Sequence, residues 1–167
     1  RDTCDVPKKT TCFPGFQTSL HLRVVKITIL YPILNIVQLG INPIEYIRLL
    51  EKLTIMTLKE FKINAYSIEG LTGVWVGNAK IASIGIKVTK GITTHGLSLN
   101  VNPDISYFNG IIACGESGNP ITSMQNCLDK LITIDQVIPL IINNFSTVFG
   151  FDMRLSPKEI SKESTII

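Results

Sequence analysis

The stretch GVWVGNAKIASIGIKVTKGITTHGLSLNVN, residues 73–102, decides the fold, because its apolar residues recur with a period of two. Through its middle, small or polar side chains alternate with large apolar ones, as a strand with one buried face requires; the large ones are Ile84, Ile86 and Val88. Turn signals at Asn78-Ala79 and Lys90-Gly91 divide the stretch. It therefore predicts three successive strands, at 73–77, 80–89 and 95–102.

The segments on either side supply one more strand and two helices. ITILYPIL (27–34) is β-branched and aromatic and predicts a buried strand, with Pro32 at its end or at a sheet edge. Capping residues and helical apolar spacing predict helices over 42–62 and 133–150, and Pro139 is expected to kink the second helix or delay its start. The resulting prediction is one α+β domain with a central, mainly antiparallel or mixed sheet flanked by helices.

The predicted domain occupies residues 27–152, a length that buries most of its apolar surface. Residues 1–26 are interrupted by Pro7 and by Pro14-Gly15 and are interpreted as an irregular N-terminal segment. Residues 153–167 are interpreted as a polar C-terminal tail.

The composition excludes several function classes. Hydrophobic residues make up 45% of the chain and charged residues 17%, as in a folded domain. Apolar runs such as 29–33 and 137–142 are too short to span a bilayer, so no membrane association is expected. The net charge of +3 comes from scattered lysines without interleaved aromatic residues, which argues against nucleic-acid binding and suits an acidic protein partner.

The cysteines favour neither disulfides nor a metal site. None forms a CxxC pair, so no structural metal is expected. With no signal peptide visible and a domain of this size, we interpret them as reduced intracellular thiols. They are Cys4, Cys12, Cys114 and Cys127.

Three motifs follow one another in a fixed order: GVWVGNAKIASIG (73–85), THGLSLNVNPDISYF (94–108) and IIACGESGNPITSM (111–124). Together they resemble the lipoyl(octanoyl) transferases, which carry a GxWV turn, KIAAIG, HGLALN, a D…F pair, and PCG followed by TS. The resemblance covers about residues 28–150 and implies the biotin/lipoate protein ligase-like fold.

The resemblance implies that Cys114 and Lys80 are the catalytic pair. A thiol nucleophile splits acyl transfer into thioester exchange and aminolysis, without a cofactor or metal. A nearby cation favours the reactive thiolate, and the lysine is suited to shuttle the proton of the incoming amine.

Two short stretches are implied to line the acyl site: Ser83, Ile84 and Gly85, then Gly96, Leu97 and Ser98. Their glycines lack a Cβ and let a ligand or another backbone approach closely. We interpret His95 as a structural or backbone-bonding histidine rather than a base, and Cys127 as a core residue.

The implied function is transfer of an octanoyl group from acyl carrier protein, through an acyl-cysteine intermediate, to a lysine of lipoyl domains in lipoate biosynthesis. The recipients would be the lipoyl domains of 2-oxoacid dehydrogenase complexes and the glycine cleavage H protein. YPIL (31–34) and the GxWV turn look closest to eukaryotic members, so the expected location is mitochondrial, with plastid or cytoplasm as alternatives.

The chain departs from the family's pattern before YPIL. The segment RGGxxTxHGPGQ is absent, and TTCFPGFQ (10–17) contains some of its residue types in another order. The alternative is therefore a non-catalytic or defective homologue that binds acyl carrier protein or lipoyl domains without turnover. A third reading, an ATP-using ligase of the same fold, lacks its glycine/arginine-rich loop in this sequence.

Overall fold

The computed structural model describes residues 17–23 by their backbone, and residues 27–105 and 120–153 with their side chains. In this part of the chain five antiparallel strands form one sheet, in the order β1-β2-β5-β4-β3. The strands are β1 Gln17–Arg23, β2 Ile27–Ile33, β3 Val74–Val76, β4 Ala79–Thr89 and β5 Ile92–Asn100. The helices are α1 Pro43–Glu60, α2 Met124–Leu128 and α3 Ile134–Phe149. The predicted α+β class with an antiparallel sheet is confirmed.

The β3–β4 and β4–β5 hairpins turn where glycine permits a left-handed backbone. Lys90 and Gly91 have φ angles of 50° and 81°, as a type I′ turn between β4 and β5 requires. The turn between β3 and β4 is Gly77-Asn78, because Gly77 adopts a φ of 55°. The predicted turn at Asn78-Ala79 is thus wrong by one residue, since Ala79 already belongs to β4.

Order begins earlier than the sequence predicted. Residues 1–26 were expected to be irregular, but Gln17–Arg23 forms β1, which pairs with β2 from Gln17↔Ile33 to Arg23↔Ile27. The hydrogen-bonding edge of β2 supplies the stability that this short polar segment lacks by itself. Because β1 pairs with that edge, β2 is an interior strand of the sheet. The prediction that Pro32 could lie at a sheet edge is therefore wrong, whereas the prediction that it lies at the end of its strand is confirmed.

Helix α1 begins with the predicted capping box. The Asn42 side chain accepts hydrogen bonds from the backbone N–H groups of Ile44 and Glu45, both at 2.9 Å. The Glu45 carboxylate accepts one in return from the Asn42 N–H at 2.8 Å. These bonds satisfy donors that every helix start leaves without an intrahelical partner. The helix then buries a stripe of large residues, which are Tyr46, Leu50, Leu53 and Leu58.

Helix α3 packs beside α1 and completes the core. The Thr133 N–H donates to the Gln136 side chain at 3.0 Å, and Gly150, with a φ of 72°, ends the helix as predicted. The helix begins before Pro139 and continues through it, so the predicted delayed start is wrong. A buried hydrogen bond of 3.2 Å from Asn144 to Thr57 joins the two helices. None of the helices within 27–105 and 120–153 is long and apolar enough to cross a membrane.

Candidate functional site

The sheet has one face toward α1 and α3 and another, called here the open face, on which Ser83, Gly85 and Lys87 of β4 are exposed. Pairing aligns Ser83 with Ser98, and Ser98 in turn with Ile29 of β2. Two residues further along β4, Gly85 pairs with Gly96 of β5. Small residues therefore occupy the middle of the open face across neighbouring strands.

A cavity of about 540 Å³ lies over these small residues, within the size range of small-molecule sites. The structure brings together all six residues predicted to bind substrate, which are Ser83, Ile84, Gly85, Gly96, Leu97 and Ser98. The remaining lining residues were missed by the sequence analysis; they are Ile29, Tyr31, Ile86, Lys87 and His95. The alternation within ITILYPI places Ile29 and Tyr31 on one face and was the available signal.

The two facing glycines have different structural roles. A Cβ on Gly96 would lie 2.1 Å from the carbonyl oxygen of Leu30 and 2.7 Å from Cδ of Pro32, so this position requires glycine. A Cβ on Gly85 would meet no heavy atom within 4 Å. Gly96 thus lets β2 and β5 approach each other, whereas the missing side chain of Gly85 leaves cavity volume open.

His95 lies at the rim of the cavity. Its φ of 63° is left-handed, and its exposed ring lies edge-on to Tyr31 with the two ring centroids 6.3 Å apart. Such an edge-to-face pair fixes the orientation of both rings. Our interpretation of His95 as a structural residue stays a prediction.

Beneath this rim, polar side chains complete the hydrogen bonding around Pro32. Its carbonyl oxygen accepts from the Thr93 hydroxyl at 2.9 Å and from the Tyr46 hydroxyl at 3.1 Å. Burial raises the pKa of Tyr46 to about 12, while its hydrogen bond with Thr93 acts in the opposite direction. These neutral hydroxyls stabilise β2 where proline interrupts the ladder.

Lys80 reaches the open face through a β-bulge. Trp75 pairs with Lys80 but Val74 pairs with Ala82, which leaves Ile81 as the extra residue of β4. Ile81 and Val74 both belong to the core against the helices. Alternation along β3 therefore places Trp75, and Lys80 opposite it, on the open face.

The surroundings of Lys80 join it to the segment that follows Cys114. Its ammonium nitrogen lies 4.9 Å from the centroid of the Trp75 ring, within cation–π range. Its backbone N–H donates to the Pro120 carbonyl at 2.8 Å, and its carbonyl accepts from the Thr122 N–H at 3.0 Å. Cys114 lies outside the described residues, which begin again at Pro120.

Cys127, the cysteine that lies within the described residues, is exposed in α2. Its sulfur lies 3.9 Å from the Thr122 hydroxyl. The prediction that it belongs to the core is wrong, because the single short turn of α2 buries Met124 and leaves Cys127 outside.

Residues 26–146 match the model of the family described as the lipoyl protein ligase A/B catalytic domain. The chain belongs to this family. Among its relatives is an octanoyltransferase of Koribacter versatilis, 43% identical over 71% of this chain and 49% of that protein. A chloroplastic octanoyltransferase of Arabidopsis thaliana is 38% identical over 75% of this chain and 49% of that protein.

The fold of the family is also found in a solved structure of lipoate-protein ligase A bound with ATP. That structure superposes with a TM-score of 0.60 at 15% identity, over 80% of this chain and 56% of the ligase. This likeness confirms the predicted ligase-like architecture. The chain spans about half the length of the octanoyltransferases it matches.

Proposed function

We propose that this chain carries the catalytic site of an octanoyltransferase that acylates lipoyl domains in protein lipoylation. One observation carries the proposal: a cavity of about 540 Å³ lies on the open face, on the strand that also presents Lys80 there. The relatives named octanoyltransferase support the same reaction.

The cavity suits an apolar acyl chain. Gly85 and Gly96 keep its middle free of side chains, while Ile29 and Tyr31 add apolar walls. Each buried methylene of the substrate contributes roughly 0.8 kcal/mol to binding. A snug fit of the octanoyl tail would therefore supply much of the substrate affinity.

The proposed nucleophile is Cys114, with Lys80 as its proton partner. The Cys114 thiolate attacks the thioester carbonyl of octanoyl-acyl carrier protein, and the carrier leaves as a thiol with the proton of Lys80. The lysine amine of the lipoyl domain then attacks the acyl-cysteine and gives its proton to Lys80; the amide forms as the carbon–sulfur bond breaks and Cys114 leaves as a thiolate. The backbone hydrogen bonds of Lys80 to Pro120 and Thr122 support this pairing, because they join β4 to residues six and eight positions after Cys114.

The proposed partners are acyl carrier protein as donor and lipoyl domains as acceptors. The net charge of +3 suits acidic partner surfaces. Mitochondria are the proposed location, and the chloroplastic relative makes plastids the alternative.

The test is intact-mass spectrometry of the purified chain, first with octanoyl-acyl carrier protein and then with an apo lipoyl domain, in the absence of ATP. An octanoyl adduct should form on Cys114 and pass to the lysine of the domain. Cys114→Ala should abolish both steps. The matched control is Cys127→Ala, which removes an exposed thiol of the same chemistry and should leave transfer intact.

Three outcomes would contradict the proposal. An adduct that survives Cys114→Ala would assign the chemistry to another nucleophile. Transfer that starts only when ATP is added would identify a ligase. Association with the partner proteins without any adduct, from chain shown to be folded, would identify a non-catalytic homologue.

A further inference from the structure

We infer that Trp75 is a positioning residue, which holds the Lys80 side chain on the open face beside the acyl cavity. The inference rests on the proposed function, because it assigns Trp75 a role through the proton partner of that reaction. Trp75 lies in the GVWV segment of the β3–β4 hairpin, and this segment has no role in the reaction steps proposed above.

The first support is the register of the hairpin. The bulge at Ile81 brings Trp75 and Lys80 directly opposite each other, next to the tight turn at Gly77-Asn78. Without the extra residue, alternation back from Ser83 would place Lys80 on the side of the helices. The bulge therefore selects the face, and the indole ring then provides a surface for the ammonium group.

The second support is the packing around the lysine. Gly73 approaches so closely that a Cβ there would lie 3.3 Å from Cε of Lys80 and 3.3 Å from the Trp75 ring. The Gly73 N–H donates to the Glu51 carboxylate at 3.2 Å, and Glu51, only 1% exposed, pairs with Arg48 at 2.7 Å. Helix α1 thus anchors the backbone that confines the lysine against the indole.

The third support is the burial of Trp75 itself. The ring is 2% exposed, yet among the described residues the core cluster that α1 and α3 cover does not include it. Its face instead lies 4.9 Å from the Lys80 nitrogen. A lysine stem has several rotatable bonds, so a wall on one side and a π-face on the other restrict where its charge resides.

The kinetic test compares Trp75→Leu, which removes the π-face, with Trp75→Phe, which retains one. Acylation of Cys114 is followed in single turnovers over a range of octanoyl-acyl carrier protein concentrations. Trp75→Leu should lower the maximal acylation rate by about 2- to 30-fold, the range that corresponds to loss of a cation–π contact. The concentration giving half the maximal rate should stay unchanged, and Trp75→Phe should restore most of the rate.

A double-mutant cycle distinguishes positioning from a general packing effect. In a Lys80→Met background the stem remains but the charge is gone, so Trp75→Leu should slow acylation no further. An equal slowing in both backgrounds would overturn the inference, because the two residues would then act independently. If the unmodified chain transfers no octanoyl group, the proposed function is rejected, and the positioning role of Trp75 is rejected with it.

Fluorescence tests the contact without relying on activity. Trp75 is the single tryptophan of the chain, so its emission reports this site alone. Lys80→Met should change the emission maximum or intensity, whereas Lys52→Met, at an exposed position of α1, should not. Identical spectra for Lys80→Met and the unmodified chain would overturn the inference even if octanoyl transfer is established.

Discussion

The two faces of the same sheet are filled in opposite ways. Toward the helices, Leu99, Ile81 and Val74 are large and fully buried. On the open face, Ser98, which directly precedes Leu99 in sequence, and Gly85 leave space. Side chains alternate between the faces, so each strand carries two independent patterns. One pattern stabilises the fold by burial, and the other leaves the cavity on the open face free of large side chains.

Truncating one residue from each face should give the largest contrast. Leu99→Ala removes a side chain that is 1% exposed and should lower the free energy of unfolding by about 2–5 kcal/mol. Ser98→Ala, its neighbour on the open face, should change it by less than about 0.5 kcal/mol. Urea denaturation measures both. Equal losses at the two positions would refute the division of the sheet into a stabilising and an open face.

The facing glycines should respond in opposite directions to the same added methyl group. Gly96→Ala drives a Cβ into the Leu30 carbonyl and should lower the free energy of unfolding by about 1–3 kcal/mol. Gly85→Ala meets open space and should raise it by about 0.4–1 kcal/mol, because the unfolded chain loses freedom.

The same pair separates stability from function. Gly85→Ala should raise the KM for octanoyl-acyl carrier protein, since its methyl group enters the cavity, while the fold stays intact. Chemical denaturation and transfer assays are run on the same preparations. Stabilised protein with an unchanged KM would show that Gly85 does not border the bound acyl chain.

The hydroxyls beneath the cavity rim should make the stability of the fold depend on pH in the alkaline range. Tyr46 has a pKa raised to about 12 in the folded state, above its ordinary value of 10.0. The contribution of neutral Tyr46 to the free energy of unfolding is complete below pH 10 and is lost as the pH rises toward 12. The reason is that the unfolded state releases the tyrosine proton at a lower pH than the folded state. Stability should fall there by up to about 1.4 kcal/mol per pH unit.

Tyr46→Phe is the matched variant for this pH dependence. It should remove the part of the alkaline slope that Tyr46 causes, and it should cost about 0.5–1.5 kcal/mol at neutral pH through the lost hydrogen bond to Pro32. Urea midpoints between pH 8 and roughly 12 measure the slope. A slope that persists unchanged in Tyr46→Phe would assign it to other groups.

Features set by a few neighbouring residues were predictable from the sequence. The capping box at Asn42, the turn at Lys90-Gly91 and the helix end at Gly150 all depend on hydrogen bonds or backbone freedom within one turn of chain. Strand β1 was missed because its partner β2 stabilises it, and the exposure of Cys127 was missed because α2 is so short.

The amino-acid sequence by itself, through its resemblance to a known family, indicated six of the residues that line the cavity on β4 and β5, but it missed Ile86, Lys87 and His95. It could not determine the face of Lys80. Strict alternation of side chains back from Ser83 would place Lys80 on the face toward the helices. Only the pairing of β3 with β4 reveals the extra residue at Ile81, which moves Lys80 to the open face. A bulge is a property of two strands together, so it becomes visible only when the hairpin is assembled.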